Sequence, residues 1–113
     1  MKVKENILIE KSIEFAARII KLQRYLVKDK KETVVSKQIV RSGTSIGANI
    51  NEANYGQSKA DFISKLHISL KETAETEYWL RLLVKEGESL LKDCLEIKRV
   101  LIYSINTAKK NNK

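Results

Sequence analysis

The segment SLLKDCLEIKRVLIYSINTA, residues 89–108, decides the fold of this chain. Its apolar positions recur at spacings of four, three, four, four and three, a near-heptad pattern typical of a helix packed against other helices. These positions are Leu90, Cys94, Ile97, Leu101, Ile105 and Ala108. The chain has 113 residues, no proline and four glycines, which favours long helices over a turn-rich β fold.

The same periodicity continues toward the N-terminus and predicts helices over about 6–28, 33–54, 58–86 and 89–108. Ser58 fits an N-cap and Gly56 a left-handed C′ position. Four helices joined by short connections predict one all-α domain over residues 1–113, an up-down-up-down antiparallel four-helix bundle.

Helix one carries two adjacent apolar stripes, which together are wider than a surface helix needs. We expect such a helix to contact two layers of its own bundle or another subunit. The first stripe is Ile9, Ile13, Ala16, Ile20 and Val27, and the second is Leu8, Phe15, Ile19, Leu22 and Leu26.

Helix three is predicted to turn one apolar face inward, with Tyr78 and Trp79 on the opposite side. We expect Trp79 to lie in a subunit interface, or to stack on a base if it is exposed. The inner face is Phe62, Ile63, Leu66, Leu70, Thr73, Ala74, Leu80 and Val84.

The net charge of +8 is concentrated at the two ends of the sequence, with +5 in residues 1–31 and +3 in residues 88–113. Helices one and four adjoin in the expected bundle, so these regions would form one positive surface. Two interpretations stay open, a surface for polyanions, RNA above all, and a lysine-rich surface that promotes solubility. The candidate nucleic-acid contacts are Lys11, Arg18, Lys21, Arg24, Lys98, Arg99, Lys109 and Lys110.

Helix two contains the unusual stretch RSGTSIGANINEANYG, residues 41–56. Gly43 and Gly47 lie four residues apart, which favours close packing of a neighbouring helix. A separate polar face carries Arg41, Ser45, Asn49 and Glu52. On helix three, Glu77 falls among apolar positions and Arg81 follows at i+4, where it can pair with the carboxylate. These polar residues predict either a network that fixes helix register or a site for a polar ligand or RNA.

The sequence favours no enzyme class. His67 is the only histidine and Cys94 the only cysteine, so no zinc-ligand cluster is formed. The glycines do not follow a strand as they would in a phosphate-binding loop. We therefore expect no catalytic activity, no cofactor, no metal and no small-molecule substrate. The lone cysteine and the lack of a long apolar run favour a cytoplasmic protein without a membrane span.

Three strings carry a resemblance to a known family: RSGTSIGANINEA from Arg41, SKADFI from Ser58, and ETEYWL from Glu75. They resemble the four-helix-bundle family encoded in intervening sequences of bacterial 23S ribosomal RNA, over nearly the whole chain. The resemblance implies an antiparallel bundle that forms a ring-like homopentamer. It also implies kinship with the basic, pentameric, nucleic-acid-binding accessory proteins of diversity-generating retroelements. The family motif falls on Arg41, Ser45, Ile46, Ala48, Asn49, Glu52, Ser58, Phe62, Glu75 and Glu77.

The chain departs from the family at the connection between helices three and four. The family commonly has a longer connection with a Gly-aromatic pair, whereas residues 84–89 form a short one. Two functions follow as expectations. One is an oligomeric bundle that binds RNA or another nucleic acid through helices one and four, and the alternative is a protein–protein scaffold.

Overall fold

The computed structural model describes the backbone of residues 2–111 and the side chains of residues 7–111. Within that range the chain is all-helical, with four helices and no strand. The helices are α1 (Lys2–Lys28), α2 (Val34–Ala53), α3 (Lys59–Leu82) and α4 (Glu88–Lys110). α1 packs against α2 and α4, and α3 packs against the same two helices. The arrangement is consistent with a four-helix bundle, about 52 Å long and 20 Å across.

Of the two apolar stripes of α1, only the second is fully buried in the core. Leu8, Phe15, Ile19, Leu22 and Leu26 are buried, as the second stripe predicts. At the centre of the first stripe Ile13 is 62% exposed, so this stripe does not pack against a second layer within the chain. Its expected contact with another subunit stays a prediction. The first stripe lies at the rim of the bundle, where Ile9, Ala16 and Ile20 are only half-buried.

α2 approaches α1 closely at its two glycines. A Cβ atom on Gly43 would lie 3.0 Å from side-chain carbons of Ile19, and one on Gly47 would lie 2.8 Å from the Ser12 hydroxyl. Real Cβ contacts at these distances are rare, so any larger residue would push the helices apart. The glycines therefore serve helix packing, as their spacing predicts.

α2 meets α3 through buried hydroxyl groups. Thr76 donates to the Ser42 hydroxyl at 2.8 Å, and Ser69 donates to the Ile46 carbonyl at 2.8 Å. Both residues of α3 are completely buried, although the apolar pattern did not place them in the inner face. Each hydroxyl has a partner, so its burial leaves no unpaired polar atom.

The start of each middle helix is fixed by a side-chain cap. Ser58 accepts a hydrogen bond from the Asp61 backbone N–H at 3.1 Å, which confirms the predicted N-cap of α3. At α2 the residue in the cap position, Thr33, makes no side-chain cap bond. The Glu32 carboxylate accepts from the N–H groups of Val34, Val35 and Ser36 instead.

α3 ends at Leu82, four residues before the predicted boundary. Val84 adopts a left-handed conformation with φ 44°, and its N–H bonds back to the Arg81 carbonyl. The chain therefore reverses here, and Gly87 comes so close to α3 that a Cβ atom would lie 2.6 Å from the Leu80 carbonyl oxygen. Because the helix stops early, Val84 is exposed and not part of the inner face.

Other expectations for α3 and its preceding turn also need correction. No described glycine has a positive φ, so Gly56 is not a left-handed C′ residue. Gly56 instead allows close approach, because a Cβ atom there would lie 3.2 Å from the Phe62 nitrogen. Ala74 is exposed and not part of the inner face. Trp79 is half-buried against the core, whereas Tyr78 is exposed.

Candidate nucleic-acid interface

The polar face of α2 faces carboxylates of α3. The Arg41 guanidinium lies 2.5 Å from Glu75 and 3.9 Å from Glu72. Glu75 also accepts a hydrogen bond from the Trp79 indole N–H at 3.1 Å. Arg41 and Glu75, both positions of the family motif, are thus brought together across the two helices.

The other polar residues of α2 do not join this cluster. Ser45 donates to the Arg41 carbonyl at 2.8 Å, and Asn49 donates to the Ser45 carbonyl at 2.9 Å, so both side chains bond within their own helix. Glu52 pairs with Lys65 of α3 at 2.9 Å. The described contacts of this face lie within α2 or between α2 and α3, which is what a register-fixing network requires.

Glu72 was missed by the sequence reasoning. Its Oε1 atom is buried without a hydrogen-bond partner in the described part of the chain, and the Arg41 guanidinium lies 3.9 Å away. Glu72 precedes Glu75 by three residues, a spacing that places both carboxylates on one helix face. This spacing could have indicated that Glu72 lies beside Glu75.

Glu77 links α3 to α4. Arg81 donates to one carboxylate oxygen at 2.9 and 3.0 Å, and Lys98 of α4 donates to the other at 3.0 Å. These bonds, with Lys98 contributing most and Arg81 next, hold the pKa of Glu77 below its usual value of 4.5 against the opposing effect of burial. The Arg81 pair is the one that the i+4 spacing predicts, and Lys98 is an additional partner.

Two of the predicted nucleic-acid contacts form ion pairs between α1 and α4. Lys11 pairs with Glu96 at 3.1 Å, and Arg18 pairs with Asp93 while also donating to the Ser89 hydroxyl at 2.7 Å. With Lys98 bound to Glu77, three of the eight candidate cations already have carboxylate partners. Because these carboxylates largely compensate their charge, the three cations are expected to attract phosphate groups less strongly.

The remaining five candidates are exposed, and within residues 7–111 none of them forms an ion pair; they are Lys21, Arg24, Arg99, Lys109 and Lys110. They do not form one continuous surface along α1 and α4. Lys21 and Arg24 lie in the last two turns of α1, whereas Lys109 and Lys110 end α4. The expectation of a single positive α1–α4 surface is therefore corrected, because paired charges occupy its middle.

Cys94 is a buried thiol in the core. Burial, with a smaller effect of the nearby Glu77 charge, raises the pKa of the Cys94 thiol to about 12. Its Sγ donates to the Thr73 carbonyl at 3.5 Å. His67 is exposed, and residues 7–111 contain no group of three potential metal ligands.

One cleft, open to solvent, has a volume of about 520 Å³ and is lined mostly by polar residues. It lies beside the turn between α2 and α3, and the Glu52–Lys65 ion pair contributes to its wall. Among the described helices, none has both the length and the apolar character needed to cross a bilayer.

Two comparisons with known proteins agree. A family described as 23S rRNA-intervening sequence protein matches residues 4–103. The chain is also similar to a crystal structure of a protein with unknown function from the S23 ribosomal protein family of Bacteroides thetaiotaomicron. The two sequences are 54% identical, the match covers 91% of this chain and 98% of the other, and the TM-score is 0.88. No curated protein matches the sequence.

Proposed function

Because the chain belongs to the 23S rRNA-intervening sequence protein family, we propose that it binds RNA through exposed lysines and arginines and catalyses no reaction. The observation that carries this proposal is the excess of uncompensated cations. The net charge is +8, and Lys21, Arg24 and Arg99 are exposed without carboxylate partners in the described part of the chain. Phosphate contacts would dominate such binding, and the protein would act in the cytoplasm without a cofactor.

The proposed assembly is a homopentamer of up-down-up-down bundles. Contacts between α1 and α4 support the antiparallel topology, because residue numbers increase along α1 while those of the contacting residues in α4 decrease. Lys11 meets Glu96 and Arg18 meets Ser89, for example. Exposed Ile13 supports a contact between subunits, and the number five rests on the family resemblance.

A filter-binding titration against fragments of 23S ribosomal RNA tests RNA binding. We expect an affinity that falls steeply between 50 and 200 mM salt, because each neutralised phosphate releases counterions. Binding that is weak at low salt and insensitive to salt would reject the proposal.

An alternative function is a protein–protein scaffold. It is favoured by a small apolar surface around Ile7, Val100 and Tyr103, beside Arg99, that lies between α1 and α4. Capture of partners from bacterial lysate with and without nuclease separates the two functions. A partner that survives nuclease favours the scaffold, whereas loss of all partners favours RNA.

The oligomeric state is tested by light scattering at micromolar concentration. The chain mass is 13.0 kDa, so a pentamer would have a mass near 65 kDa. The variant Ile13→Glu is expected to lower the measured mass if this exposed side chain lies between subunits. A wild-type mass of one chain would exclude the proposed assembly.

A further inference from the structure

The last two turns of α1 carry a face of cationic and aromatic side chains. Lys21, Arg24, Tyr25 and Lys28 follow the spacing i, i+3, i+4 and i+7, which places them on one side of a helix. All four side chains are exposed, and the interleaved Leu22 and Leu26 are buried. We call these four residues the basic face of α1.

The cations of the basic face differ from those earlier in the same helix. Lys11 and Arg18 are held by carboxylates of α4. In residues 7–111 no carboxylate pairs with Lys21, Arg24 or Lys28. The positive charges of α1 are therefore paired with carboxylates where α1 contacts α4, and in the part of the chain that the structure describes they are unpaired near the C-terminal end of α1.

The following turn extends the positive charge. Residues 21–37 contain six Lys and Arg residues and two Asp and Glu residues, a net +4 out of the total of +8. One of the two acids, Glu32, directs its carboxylate at three backbone N–H groups of α2. Half of the net charge of the protein is thus presented by 17 residues at one end of the bundle.

Tyr25 is the aromatic residue of the basic face. Its side chain is 41% exposed between Arg24 and Lys28. An exposed aromatic ring among cations can stack on an unpaired base, while a base inside a duplex is already stacked on its neighbours. We infer that the basic face of α1 binds a single-stranded segment of RNA, with Tyr25 stacked on a base and the cations on flanking phosphates. This inference rests on the proposed RNA binding and assigns its location.

The size of the face limits the contact. Lys21 and Lys28 are seven residues apart, which corresponds to about 10 Å along the helix. The three cations of this face can neutralise about three phosphates per subunit. For single-stranded nucleic acid, the slope of log K against log salt is then about −2 for one subunit.

The test is fluorescence anisotropy of full-length protein with a labelled, unstructured 12-nucleotide RNA over a salt series. The variant R24Q/K28Q is compared with K109Q/K110Q. The second variant removes the same amount of charge at the C-terminal end of α4. R24Q/K28Q is expected to weaken binding on the order of tenfold at low salt and to make the slope shallower by about 1.4. K109Q/K110Q removes two other candidate contacts and is expected to weaken binding several-fold less than R24Q/K28Q.

A second pair of variants tests stacking. Tyr25→Leu keeps an apolar side chain but loses the aromatic ring, and is expected to weaken single-strand binding about fivefold or more. Tyr25→Phe is expected to bind like the wild type. On a duplex of the same sequence, Tyr25→Leu is expected to have no effect.

The outcomes separate the location from the function. If the wild type binds but the two charge variants lose affinity equally, or K109Q/K110Q loses more, the basic face of α1 is not the site although RNA binding stands. If Tyr25→Leu binds the single strand like the wild type, the stacking assignment is overturned. If the wild type binds no RNA at low salt, the proposed function itself fails. Thermal melts of all variants verify that each protein is folded.

Discussion

Gly47 of α2 faces Ser12 of α1 at a distance that leaves no room for a side chain. A Cβ atom on Gly47 would lie 2.8 Å from the Ser12 hydroxyl oxygen and 3.1 Å from its Cβ atom. The hydroxyl is held in place, because it donates to the Ile9 carbonyl at 2.7 Å. The separation of the two helices is therefore set by the absence of a side chain at position 47.

Gly47→Ala is expected to lower the free energy of unfolding by about 1 kcal/mol. Overpacking costs about 1–3 kcal/mol, and the better helix propensity of alanine offsets roughly 1 kcal/mol of that. Urea denaturation measures the change. In a Ser12→Ala background the loss is expected to shrink, because the hydroxyl no longer blocks the new methyl group. An equal loss in both backgrounds would mean that Ser12 is not the limiting contact.

Glu77→Gln is expected to destabilise the protein at pH 7 by about 1–2 kcal/mol, because charged hydrogen bonds to Lys98 and Arg81 are weakened. The Glu77 side chain is only 16% exposed, so solvent replaces these bonds poorly. Its folded pKa is lowered from 4.5, so its stabilisation is complete above pH 4.5 and disappears as the pH falls through the folded pKa. Wild type and variant should therefore converge in stability at acidic pH.

Urea denaturation at several pH values checks the Glu77 prediction. Glu10→Gln serves as the matched control, because Glu10 is exposed and makes no contact with Lys98 or Arg81. A constant difference between Glu77→Gln and the wild type across the acid range would contradict the linkage.

Glu32→Ala is expected to cost about 1 kcal/mol, the typical value for a lost helix cap. Its carboxylate accepts three backbone N–H bonds at the start of α2. Burial opposes ionisation, but these bonds prevail and hold the pKa of Glu32 below 4.5. Thermal melts compare it with Thr33→Ala, which should change little because Thr33 makes no cap bond. If Thr33→Ala costs more, the cap is assigned to the wrong residue.

Val84→Gly is expected to raise the free energy of unfolding by about 0.5–1 kcal/mol. Val84 is β-branched with φ 44°, a conformation that costs a side-chain-bearing residue roughly 1–2 kcal/mol. Its side chain is 74% exposed, so little burial is lost. Val84→Ala keeps the Cβ atom and should gain less. Equal melting temperatures for the glycine and alanine variants would show that strain at this residue is small.

The helices themselves follow from apolar periodicity, but their inner faces follow only in part. In α4 the buried positions, such as Cys94 and Leu101, are those of the near-heptad pattern. In α3 the completely buried Ser69 and Thr76 were missed, because a hydroxyl counts as polar until its partner on α2 is known. The periodicity of α1 likewise could not decide that Ile13 is exposed, since the choice between two adjacent stripes depends on where α2 and α4 pack.

The candidate site was predicted as a list of residues but not as an arrangement. The charge distribution of the sequence indicated which cations are candidates. Their ability to bind phosphate, however, depends on which carboxylates lie beside them in the fold. Glu96 and Asp93 neutralise Lys11 and Arg18 across a distance of more than 70 positions in the sequence. Local spacing revealed the Glu77–Arg81 pair, because both residues belong to one helix. The Lys98 partner of Glu77 required the packing of α4 on α3.

The partly exposed ion pairs between α1 and α4 have a consequence for how the bundle opens. Salt weakens such pairs, whereas the glycine contacts and buried hydroxyl bonds of α2 are not screened. Helices of one bundle therefore differ in the free energy of local opening. Amide protons of α2 should exchange with solvent only through global unfolding. Those of α4, which shares the ion pairs and within residues 7–111 has neither kind of unscreened contact, should exchange faster as the ionic strength rises.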